Sequence, residues 1–283
     1  MKKNIILILL PIWVILCLIS AGSVWADYFD KEISTGDIRV FYPGTTASSC
    51  DAILFGVGTS MSADSYDKLS NALIEYGYIV VIMDHNPGNM IKTSSSKYSA
   101  LASDVKSNLV SWLSSTNCTE IDLWVLGGHS AGGQAAQNAI SDDSSLADAI
   151  FSVDPYDCSE TGDIAIPALY WGFNFTSCFV TKSDAAEAAY YSSNGPRVLQ
   201  RVKRKYTFGP CGFAPKFFHC SVGDGHCLAC TNCITTPDYF FTDMANSVNK
   251  FIDAAFNGTW SEDNLEIDDA TLPVELFVDT DQP

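Results

Sequence analysis

The stretch Ile121–Ile140, IDLWVLGGHSAGGQAAQNAI, decides how the rest of the chain is read. Ile121 to Leu126 is an apolar run of strand character, and Gly132 to Ile140 has the composition of an Ala-rich helix. Between them lies Gly127-Gly-His-Ser-Ala-Gly-Gly133, which contains Gly-x-Ser-x-Gly. A nucleophile on a sharp strand-to-helix turn takes strained dihedrals, and side chains two residues to either side would collide. Gly128 and Gly132 remove that collision. The turn lifts the Ser130 hydroxyl above the sheet and points the helix N-terminus at it. Ser130 is therefore predicted as a nucleophile, and the N–H of Ala131 as a donor to a developing oxyanion.

Outward from this turn, short runs rich in Val, Ile and Leu alternate with longer segments of helical period. That pattern is expected of a mostly parallel sheet with helices on both faces. Ala52–Phe55, Tyr78–Met83, Ala149–Val153, Ala168–Trp171 and Phe217–Val222 are predicted strands; Ser65–Tyr76, Tyr98–Leu113 and Phe240–Ala255 are predicted helices. In the helix over 98–113, Val105, Leu109 and Trp112 fall at i, i+4 and i+7.

The general base is found by exclusion among four histidines. In a chain built this way the order is Ser, acid, His, and His85 and His129 both precede the position required. Of the two that remain, His219 lies inside the predicted strand Phe217–Val222. His226 follows the loop Gly223-Asp-Gly225 and is taken as the base. The strand Ala168–Trp171 is followed by no acid, but Ala149–Val153 runs into Asp154-Pro-Tyr-Asp157. Asp154 would emerge at the carboxyl edge of the sheet, the edge that holds Ser130, and is the predicted acid; Asp157 and then Asp184 are the alternatives. The second oxyanion donor is assigned to the loop Gly56-Val-Gly-Thr-Ser60, at the Thr59 amide.

These residues resemble the group of α/β-hydrolase proteins that includes chlorophyllases and the plasma-type platelet-activating-factor acetylhydrolases. The similarity covers roughly Ala52 to Ala255. It rests on Gly128–Gly133 (GHSAGG), on YGYIVVIMDH (Tyr76–His85), SDVKSNLVSWL (Ser103–Leu113), SVDPYD (Ser152–Asp157) and FFHCSVGDGH (Phe217–His226). The resemblance implies an α/β-hydrolase fold and hydrolysis of carboxylic esters without a metal or other cofactor. It also implies a triad acid after the earlier strand, at the position of Asp154. One departure stands out: the group usually carries His-Gly in the oxyanion loop, and this chain carries Val57-Gly58. The rival readings are a catalytically silent hydrolase-like extracellular binding module and a serine peptidase on the same fold.

At the amino end, Lys2 and Lys3 precede an apolar run from Ile5 to Ile19 and then a small-residue stretch that ends at Val24-Trp-Ala26. These are the features of a signal peptide over 1–26, so the mature chain is expected to start at Asp27 and to be secreted. Residues 27–260 are then expected to form one hydrolase domain, and 261–283 an acidic tail with no hydrophobic lipid-anchor signal. Sequons at Asn117, Asn174 and Asn257 fit a secretory route. The formal net charge of -17 repels phosphate and so argues against nucleic-acid or anionic-membrane partners. Within this acidic chain the basic run Arg197–Lys205 is expected as a solvated strand or helix face rather than a binding patch.

Cys227-x-x-Cys230-x-x-Cys233 has a spacing that a metal could use, but an oxidising compartment favours disulfides. Nine cysteines follow the presumed signal, an odd number, which leaves one free or bonded to another molecule. About a dozen residues separate Asp154 from Ala168, too few for a large lid domain. The segment Phe175–Pro215 is expected to supply one pocket wall, with Tyr190 and Tyr191 as apolar contacts to an accessible ester.

Overall fold

The computed structural model describes residues 27–44, 50–59, 61–83, 95–113, 116–157, 163–173, 184–203, 236–267 and 274–279. The order of elements is β1 (Asp27–Ile33), β2 (Gly36–Tyr42), β3 (Ala52–Gly56), α1 (Asp67–Ile74), β4 (Ile79–Met83), α2 (Ser95–Trp112), β5 (Trp124–His129), α3 (Ala131–Asp142), β6 (Ala149–Val153), β7 (Ala168–Phe173), α4 (Ala185–Ser192), β8 (Arg197–Val202), α5 (Asp238–Asn257), α6 (Glu262–Leu265) and β9 (Val274–Asp279). The strands build one nine-stranded sheet in the order β1-β2-β4-β3-β5-β6-β7-β8-β9. From β4 across to β8 every pairing is parallel, and antiparallel pairings join β1 to β2, β2 to β4 and β8 to β9. The protein is thus α/β, with a mixed, mostly parallel sheet.

Side chains alternate across a strand, so each interior strand feeds two cores. Phe55, Val80, Ile82, Val125, Phe151, Val153 and Trp171 meet Leu69 and Leu73 of α1 and Phe240, Met244, Val248 and Phe251 of α5. On the opposite face Leu54, Val81, Leu126, Ile150 and Tyr170 meet Tyr98, Val105 and Leu109 of α2, the alanines of α3, and Ala186 and Ala189 of α4. Burial on both faces explains why β3 to β7 read as unbroken apolar runs.

The strand expected at Ile121–Leu126 is displaced to Trp124–His129. Parallel partners on both sides, Gly56↔Gly128 toward β3 and His129↔Val153 toward β6, carry it through the glycines to the residue before Ser130. The basic run is corrected in part. Arg197–Val202 is a strand, β8, but it lies between β7 and β9 with Val198, Leu199 and Val202 buried, so it is not a solvated one. Its arginines stack over the Tyr190 and Phe277 rings and are ion-paired: Arg201 contacts Glu187 at 2.9 Å and Glu275 at 2.8 Å, and Arg197 pairs with Asp279. Glu275 and Asp279 belong to the segment expected as an acidic tail, which instead contributes α6 and the edge strand β9. The predicted strand Phe217–Val222 and the apolar run of residues 5–19 lie outside the described residues. Among the described residues no helix is long and apolar enough to cross a membrane.

A disulfide joins Cys50, just before β3, to Cys118, ahead of β5, with Cα atoms 5.7 Å apart and a sequence separation of 68. The other eight cysteines, including the run Cys227–Cys233, lie outside the described residues. Closing a loop of this length restricts the unfolded chain, so replacing Cys50 and Cys118 by alanine is expected to lower the unfolding free energy by about 2–5 kcal/mol. Guanidinium denaturation checks this, and an unchanged midpoint and slope would contradict it.

Candidate active site

Two non-glycine residues among those described have positive φ: Ser130 (54°, with ψ -121°) and Asp154 (39°). Such backbone costs of order 1–3 kcal/mol per residue and persists only where surrounding contacts impose it. These contacts are visible. Ser130 N–H donates to Val153 O at 3.0 Å, Asp154 N–H donates to Trp171 O at 2.7 Å, and Tyr156 N–H donates to Ser130 O at 3.1 Å. The two residues leave neighbouring parallel strands at the same level, one step beyond the pair His129↔Val153. Adjacent strands run about 4.8 Å apart, so the two backbones are neighbours at the carboxyl edge. Both residues are buried.

The glycines around Ser130 are required by close approach of backbones. A Cβ on Gly132 would lie 2.2 Å from the Gly56 carbonyl oxygen, and one on Gly128 would lie 2.5 Å from the Gly132 carbonyl carbon. The start of α3 therefore rests directly on the end of β3, and the alanines that follow keep the helix against the sheet. Tyr98 of α2 holds β5: its buried hydroxyl donates to Gly127 O at 2.6 Å and accepts from Gly127 N–H at 3.1 Å. Burial pushes the Tyr98 phenol far above its ordinary pKa, so it stays a neutral donor.

The predicted oxyanion donors fall on the two chain segments that flank this contact. Ala131 is the first residue of α3, whose opening amides have no intrahelical acceptor. Thr59 lies in the turn after β3, where Gly58 O accepts from Met61 N–H at 3.1 Å. Among the described residues neither the Thr59 nor the Ala131 amide has a hydrogen-bond acceptor. By contrast, the Gly58 amide is engaged, donating to Tyr66 Oη at 2.8 Å. Tyr66 Oη is also 2.9 Å from His129 Nδ1. Neither Tyr66 nor His129 was expected at the site, because a contact between residues 63 apart leaves no local pattern in the sequence.

The remaining candidates separate clearly. Asp157 is partly exposed, four residues past the end of β6, and Asp184 is an exposed residue at the N-cap position of α4, so Asp154 alone of the three sits beside Ser130. His219 and the predicted base His226 lie outside the described residues, as does His85. Tyr190 is buried on the sheet face beneath Arg197 rather than in a pocket wall, whereas Tyr191 is 64 % exposed. Among the described residues no cluster of three or more His, Cys, Asp or Glu could hold a metal ion. A cavity of about 410 Å³ opens among Asp51, Tyr78, Asp122, Asn249 and Phe256, at the amino ends of β3 and β4. It is therefore on the side of the sheet away from Ser130.

No family model matches the chain, and no curated protein matches it. The assignment of this site thus rests on geometry and on the chemistry of its residues.

Replacing Gly132 by alanine forces backbone apart at the β3–α3 contact, since the clashing atom is a carbonyl oxygen and not the end of a side chain. Overpacking of this kind costs typically about 1–3 kcal/mol or more. A fall of the thermal midpoint by several degrees is expected; a Gly132→Ala chain as stable as wild type would show that the two backbones do not touch.

Proposed function

We propose that this chain is a serine hydrolase of the α/β-hydrolase fold that cleaves carboxylic esters through an acyl-enzyme. The observation that carries this reading is the placement of Ser130 and Asp154. The two strained non-glycine residues described are the two chosen from sequence as nucleophile and acid, and they leave adjacent strands side by side. A strand–turn–helix unit with glycines at both flanking positions supports a nucleophile at Ser130.

In this reading Asp154 orients the imidazole of His226, and His226 takes the Ser130 proton as Oγ attacks the ester carbonyl. The resulting oxyanion accepts from the Ala131 and Thr59 amides, and the alcohol leaves with a proton returned by His226. Water then attacks the acyl-enzyme by the same route and regenerates Ser130. Loss of one such donor typically costs about 3–4 kcal/mol of transition-state stabilisation.

The reading extends to location. Removal of 1–26 would release the protein into an oxidising compartment, and the Cys50–Cys118 disulfide supports such a setting. The chain would act there on a soluble or accessible ester, without a cofactor.

Hydrolysis of p-nitrophenyl esters of increasing acyl length, beside peptide amides, tests the proposal. Wild type is expected to turn over esters in preference to amides. Ser130→Ala is expected to lower kcat by at least about 10⁴-fold, with large losses also for His226→Ala and Asp154→Asn. Ester turnover that survives in Ser130→Ala would contradict the assignment.

A further inference from the structure

We infer that Tyr66 and His129 form a positioning pair that holds the Thr59 amide in place as an oxyanion donor; this rests on the hydrolase reading of the same site. Tyr66 closes the short 3-10 turn Ala63–Tyr66 and is completely buried. Its ring packs against Phe55 at 5.4 Å between centroids and meets the His129 ring edge-on at 6.0 Å. Its hydroxyl then makes two contacts that join separate parts of the site, accepting from Gly58 N–H and sharing a hydrogen bond with His129 Nδ1. Whichever of the two groups supplies the shared proton, the Tyr66 oxygen links Gly58 N–H to His129 Nδ1.

The consequence for Thr59 follows from peptide planarity. The N–H of Thr59 belongs to the same trans peptide plane as the C=O of Gly58 and points the opposite way. The Gly58 carbonyl is held by Met61 N–H, and the preceding plane is held through Gly58 N–H by Tyr66. Both planes on either side of the Gly58 Cα are therefore fixed, which fixes the direction of the Thr59 N–H. Space enforces the same arrangement, because a Cβ at Gly58 would lie 3.0 Å from His129 Nδ1 and 3.2 Å from Tyr66 Oη. His129 in turn is covalently next to Ser130. The pair thus ties the donor loop to the nucleophile turn, two segments that are 71 residues apart in sequence at Thr59 and Ser130.

Neither side chain touches the reacting atoms in this account, so their loss should alter transition-state stabilisation more than substrate affinity. Tyr66→Phe keeps the ring and deletes the hydroxyl. With the full chain and a p-nitrophenyl ester, kcat is expected to fall about 10- to 100-fold, because misplacing a catalytic group by an ångström can cost about 100-fold, while KM changes by less than about 3-fold. The matching thionoester, whose sulfur accepts hydrogen bonds weakly, should lose less than the oxoester. His129→Asn, which retains an acceptor near the Nδ1 position, should keep more activity than His129→Leu, so the test stands even if Tyr66→Phe does not fold. Equal losses for oxoester and thionoester, or His129→Leu as active as His129→Asn, would overturn the positioning role while leaving the hydrolase reading intact. A wild type without Ser130-dependent ester turnover would overturn the reading, and the pair's role with it.

Discussion

The structure depends on a contact between bare backbones. Gly56 at the end of β3, Gly128 in β5 and Gly132 in the first turn of α3 approach so closely that no Cβ fits between them. That approach lets α3 start directly after Ser130, which takes the left-handed turn needed to pass from strand to helix within one residue. Larger residues would lift the helix from the sheet, and its opening amides would no longer lie beside Ser130. The packing of small residues is thus a condition for the turn at Ser130 as well as for the fold.

Strain at the turn is held in place by neighbours that are themselves well paired. Val153, Trp171 and Tyr156 supply the hydrogen bonds that fix Ser130 and Asp154, and two-faced burial makes the strands that carry them rigid. The strands bring together residues far apart in sequence at one edge, while the opposite edge holds the Cys50–Cys118 disulfide. One end of the sheet is locked covalently, and the other carries the strained, polar groups. Such a division suits a site that must hold its geometry at a cost in local stability.

The parts that could be read in advance are those where one physical cause dominates. Strands β3, β4, β6 and β7 are buried on both faces and appear as plain apolar runs, and Gly-Gly-His-Ser-Ala-Gly-Gly announces its turn through the absence of side chains. The position of Asp154 at the carboxyl edge is legible because it directly follows an apolar strand. Arg197–Val202 misleads because its two arginines suggest water, whereas their guanidinium groups stack over Tyr190 and Phe277 and pair with Glu187, Glu275 and Asp279. Strand β9 was missed because its acidic residues are explained only by those arginines, across a chain separation that no local pattern records. Tyr66 and His129 went unnoticed for the same reason, since their hydrogen bond exists only after the sheet has formed.

The central claim is that Ser130 is made reactive by its position at this turn. Treating the folded full chain with a fluorophosphonate and mapping the adduct by mass spectrometry measures that directly. The account predicts one phosphonyl group per chain, on Ser130, formed with loss of fluoride and absent from Ser130→Ala. A folded wild type that stays unmodified, or that carries the group on another residue, would contradict it.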